Sequence, residues 1–117
     1  MRKELALIDA ASGDLVVGRV RVAASFAARA MGLIGRSRLG PHEGMWFDRC
    51  DSIHTMFMRI PIDVLFLDRD GCVLRAMRTV APWRPYIGFP GAASVLELSS
   101  GTIERTGVIP GDVLVLR

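Results

Sequence analysis

Six side chains stand where chemistry is easiest to build: His54, Thr55, Asp63, Trp83, Arg84 and Glu97. An arginine beside a tryptophan can hold an anion through its forked N–H groups while the indole stacks on a flat or sugar-like group. An imidazole such as that of His54 donates or accepts near neutral pH, and a glutamate such as Glu97 can accept from a hydroxyl or orient a base. Together His54, Thr55, Trp83, Arg84 and Glu97 would suit a small polar ligand with an anionic group. A competing reading makes Trp83 a plug at one end of a barrel, with Arg84 and Glu97 an ordinary ion pair. A third makes the chain a protein-interaction module that uses the aromatic loop at 81–93 or an exposed sheet edge.

Catalysis finds less support. His54 with Asp63 or Glu97 could form a general acid/base couple. No serine or cysteine has a nucleophile's context, and no glycine-rich phosphate loop is present. No catalytic residue is therefore assigned, and no cofactor is expected. Cys50 and His54 have a ligand-like gap of three residues between them. Without a second such pair or a CxxC they signal no zinc, so no metal is expected either.

The 117 residues fit one domain, 1–117, long enough for a single core. Half the residues are apolar and 23% are charged, which argues against disorder. No apolar run reaches the roughly 18–20 residues of a membrane-spanning helix, so no membrane partner is expected. Glu4 and Asp9 interrupt the N-terminus before a signal-peptide core can form, and a cytoplasmic location is expected. The net charge of +3 comes mostly from scattered arginines. A nucleic-acid surface clusters its basic residues with aromatics between them. Nucleic acid is not an expected partner.

The elements that must position these residues are mostly strands. Leu5 to Ile8 and Leu15 to Val22 flank the Ala11-Ser12-Gly13-Asp14 turn, forming a hairpin. Ser25 is a good N-cap for a short helix ending by Gly35, with Phe26, Ala30, Leu33 and Ile34 on one stripe. Met45 to Asp48 is a short strand, and Ser52 to Ile60 reads as a longer one. Ile62 to Asp68 is apolar on both faces except at Asp63. Cys72 to Val80 is its hairpin partner across Asp70-Gly71. Ser94 to Leu98 is another strand, Thr102 to Thr106 a single helical turn, and Val113 to Leu116 the last strand.

A two-residue Asp70-Gly71 turn pairs Arg69 with Cys72 and brings Asp63 opposite Arg78. A cross-strand ion pair would then explain the buried carboxylate without chemistry.

These blocks together resemble the domain of unknown function 192 family over roughly Ser25 to Val115. Arg29 with Gly32-Leu33, Gly44-Met45, Ile53-His54-Thr55 with Met58, and Pro61-Ile62-Asp63-Val64 with Phe66 and Asp68 carry the likeness. Pro82-Trp83-Arg84, Val95-Leu96-Glu97 with Gly101, and Gly111-Asp112 complete it. The chain is similar to the Ile-His-Thr variant, where many members have an aromatic-Trp-Met-Lys-Asn string. The resemblance implies a mainly β (α+β) fold, a small antiparallel β-barrel-like domain with one or two short helices. It implies no reaction, cofactor or catalytic residue.

Overall fold

The structure, a computed structural model, describes residues 4–23 and 39–117. Strands β1 (Glu4–Asp9) and β2 (Leu15–Ala23) form the first hairpin, and β3 (Glu43–Asp48) follows. Then come β4 (Ser52–Ile53), β5 (Ile62–Leu67), β6 (Val73–Val80), β7 (Ile87–Gly88) and β8 (Ser94–Ser99). The short helix α1 (Thr102–Thr106) and β9 (Leu114–Leu116) end the chain. The helix expected from Ser25 to Gly35 lies outside the described residues. Among those described, no helix is long and apolar enough to cross a membrane.

Seven strands form one sheet in the order β6-β5-β8-β3-β2-β1-β9, and β4 pairs with β7 in a second. The expected barrel is not closed. The edge strands β6 and β9 come together near one end only, at an isolated bridge between Cys72 and Val113. One pairing also departs from the antiparallel expectation, because β2 and β3 run parallel from Arg19↔Glu43 to Ala23↔Phe47.

The six residues of β5 are all buried, as are the first five of β8. Such continuous burial requires cover on both faces. Leu65, Leu67, Leu96 and Leu98 face one core with Leu7, Val20 and Ile103. Ile62, Val64, Phe66 and Val95 face a second with Phe47, Met58 and Ile87. The expected strand from Ser52 to Ile60 stops at Ile53, and the chain then turns across this second core.

The hairpin at Asp70-Gly71 is present, with a longer turn. The Asp68 N–H donates to the Cys72 carbonyl at 2.9 Å, leaving three residues, 69–71, in the loop. Gly71 has φ +86°, and a Cβ there would collide with the Leu114 carbonyl oxygen. Glycine is thus required twice, by the turn and by the close approach of β9. Register shifts follow between Phe66 and Leu67 and between Ile62 and Val64. The second leaves Arg78 and Thr79 both facing the single residue Asp63, a β-bulge.

That bulge overturns the expected Asp63–Arg78 ion pair. Asp63 is fully buried, whereas the Arg78 side chain is exposed. The Thr79 N–H donates to Asp63 Oδ1 at 2.9 Å. The N–H groups of Gly101 and Ile103 donate to Oδ2 at 3.1 and 2.9 Å. Gly101 is the N-cap of α1 and has no side-chain cap of its own, so a carboxylate from a distant strand caps the helix instead. Replacing Asp63 by Asn would turn an amide N–H₂ toward these donors. Asp63→Asn is expected to lose about 2–4 kcal/mol in urea unfolding, against about 0.5 kcal/mol or less for Arg78→Ala. The opposite ranking would restore the ion pair.

Candidate functional site

The candidate residues occupy two different environments. His54, Thr55, Trp83 and Arg84 come together where the chain leaves β6, joined by Phe57, which the sequence pattern placed in a strand. Thr55 is the fastener. Its hydroxyl donates to the Ala81 carbonyl at 2.7 Å and accepts from the Arg84 N–H at 2.9 Å. Its own N–H donates to the Arg84 carbonyl at 2.9 Å, and its carbonyl accepts from the Trp83 N–H at 2.8 Å. Thr55 is fully buried, so it holds the surface rather than lining it.

The result is an exposed aromatic corner. Phe57 and Trp83 meet edge to face with ring centroids 5.0 Å apart. Yet they remain 61% and 56% exposed, and Tyr86 is 64% exposed. Phe57 has φ +68° and Trp83 φ +66°, the left-handed region that bulky residues adopt only at a cost of order 1–3 kcal/mol. Tyr86 lies over Gly88, where a Cβ would strike its hydroxyl. His54, Arg59 and Arg84, close in sequence to these residues, are exposed as well.

His54 Nδ1 accepts the Met56 N–H at 3.1 Å, which leaves Nε2 to carry the proton of a neutral ring. Among the described residues no carboxylate bonds His54. The Asp63 oxygens are occupied by backbone N–H groups, so the His54–Asp63 couple is not assembled. Cys50 donates its thiol to the Ser52 carbonyl at 2.8 Å. No group of three or more His, Cys, Asp or Glu among the described residues is placed to hold a metal.

Glu97 is elsewhere. It sits in β8 between Met45 and Val64 on the second-core face, 3% exposed. Its Oε1 has no hydrogen-bond partner. Neither the ion pair with Arg84 nor a place in the surface site is available to a group so enclosed. Loss of water raises its carboxyl from 4.5 to about 8, so at neutral pH it is chiefly a neutral acid.

An open, mainly antiparallel sheet with a loop-built surface corner defines a small mainly β domain of the α+β class. The chain belongs to the DUF192 family of uncharacterized proteins, whose model matches residues 8–116. The match reaches past the expected start at Ser25 into the first hairpin. A UPF0127 protein of Thermococcus sibiricus is 33% identical over 114 residues, covering 91% of this chain and 71% of its own. A crystal structure from Sinorhizobium meliloti 1021, provisionally designated a transcription regulator, superposes with TM-score 0.84 at 32% identity. It covers 99% of this chain and 94% of that one. A protein of unknown function from Novosphingobium aromaticivorans gives TM-score 0.78 at 26% identity, covering 97% and 84%.

The raised Glu97 value carries a signed consequence. The native state keeps a proton that the unfolded chain releases, so this group's contribution is complete below about pH 4.5 and is lost as pH rises to about 8. Across that window the folding equilibrium is expected to fall roughly tenfold per pH unit from this group, then level off. Glu97→Gln should remove that component of the slope in denaturant unfolding followed against pH. Identical slopes in the two proteins would contradict a buried neutral acid.

Proposed function

We propose that this chain is a binding module whose contact surface is the Phe57–Trp83 corner, and that it takes an acidic segment of a protein partner. The observation that carries this reading is the pair of large aromatics held on left-handed backbone while mostly exposed. Strained backbone persists where surrounding bonds over-determine it, and it gathers at functional sites. Here the hydrogen bonds of Thr55 supply that constraint. Tryptophan, tyrosine and arginine are also the residues that carry binding energy at interfaces. Arg59 and Arg84 give the surface its positive sign.

A small anion held by Arg84 against Trp83 is the second reading, favoured by the exposed guanidinium beside an indole. It fits the shape less well. Small-ligand sites enclose most of their ligand, whereas Phe57 and Trp83 are mostly exposed. The transcription-regulator designation of the Sinorhizobium protein also belongs to a binding role rather than a catalytic one.

The chain has two tryptophans, so Trp46→Phe leaves Trp83 as the sole indole reporter. Titration with a glutamate-rich peptide carrying one leucine is expected to shift Trp83 emission to the blue and to saturate. Arg84→Ala should weaken that response roughly tenfold, and a lysine-rich counterpart should give none. Equal responses to both peptides would overturn the reading. A response to inorganic phosphate alone would favour the small anion.

A further inference from the structure

The open sheet leaves a second feature at the other end of the β5–β6 hairpin from the aromatic corner. A cleft of about 1000 Å³ lies between the 48–52 segment, the 68–71 turn, the 91–94 loop and β9. Mouths of barrel-like sheets are common ligand positions, and this size suits a small molecule. Trp46 forms part of the lining and packs against the first core. On β3 it alternates with Asp48, which continues the same face toward the rim and accepts from the Ser94 hydroxyl at 3.4 Å.

The walls are fixed to one another. The Ala93 N–H donates to the Leu67 carbonyl at 2.7 Å, the Cys50 N–H to Ala93 at 3.0 Å, and the Leu114 N–H to Gly71 at 2.9 Å. The cleft is therefore formed before anything enters it, which lowers the ordering cost of binding.

Its charge is negative, with four aspartates (Asp48, Asp51, Asp68, Asp70) against two arginines (Arg49, Arg69). Asp48 and Arg49 have partners within the protein. Asp68 Oδ1 accepts the Asp70 and Cys72 N–H groups, each at 2.9 Å. Asp51 and Asp70 are solvent-exposed. The carboxylates are spread along the rim, and no three of them converge to hold a metal ion. Separate carboxylates and an indole lining one cleft match an extended organic cation: each ammonium can meet one carboxylate, and tryptophan is the best cation–π surface.

We propose that this cleft binds a small, extended organic cation of the polyamine class, with Trp46 as its floor and Asp51 and Asp70 as its charge partners. The proposal is independent of the aromatic corner and is tested with the opposite reporter. Trp83→Phe leaves Trp46 as the sole indole. Spermidine, titrated into that protein at near-physiological ionic strength, is expected to change Trp46 emission saturably. In the Asp51→Asn/Asp70→Asn double variant the midpoint should rise roughly tenfold, and Arg84→Ala should leave it unchanged. Both aspartates are exposed, so the double variant should keep the parent's thermal unfolding. An absent or non-saturating response overturns the proposal. So does an equal response to magnesium chloride, or an unchanged midpoint in a folded double variant.

Discussion

The constraint on which the rest depends is that β5 and β8 are covered on both faces. Each polar side chain in these strands then has to be reconciled with a dry environment, and two carboxyl groups reach opposite solutions. Asp63 accepts three backbone N–H bonds, from the bulge on β6 and the start of α1. Those donors have no other side-chain cap, so the carboxylate joins β5, β6 and α1 at one point. Glu97 has no partner for Oε1 and meets the same constraint by keeping its proton.

Cover on the second face also explains where the candidate surface arises. Met58 and Ile87 pack onto Ile62, Val64 and Phe66, which draws the 54–58 turn and the 81–88 loop across the sheet. Thr55 then locks one to the other. With the chain pinned on both sides of them, Phe57 and Trp83 are carried outward on backbone that neither residue prefers. Core packing thus supplies the rigidity, and the exposed rings are its by-product available for binding. A rigid aromatic platform loses little conformational freedom when a partner settles on it.

Much of this was legible in the residues. Most of the strand periodicities, the hairpin at Asp70-Gly71 and the helical turn at Thr102–Thr106 have local signatures, and the structure has each of them. The remainder had none. Phe57 and Trp83 hold left-handed conformations where turn rules look for glycine or asparagine, so the turn at Thr55 read as more strand. Only charged side chains advertise themselves in a sequence as partners for Asp63, whereas the backbone N–H groups that bond it leave no mark there. Hairpin counting also has no means of seeing two register shifts. The parallel β2–β3 pairing and the open edge at β6 and β9 depend on packing across the whole sheet. Glu97 looked available because alternation alone does not reveal that both faces of β8 are covered.

The binding role proposed for the aromatic corner is tested most directly by selecting a random-sequence peptide display library on the folded protein and on its Trp83→Ala variant. Peptides retained by the parent should share acidic residues beside an apolar one, and the variant should lose them while unfolding at a similar temperature. Retention of the same peptides by both proteins, or a basic consensus, would contradict a corner built to receive an acidic partner.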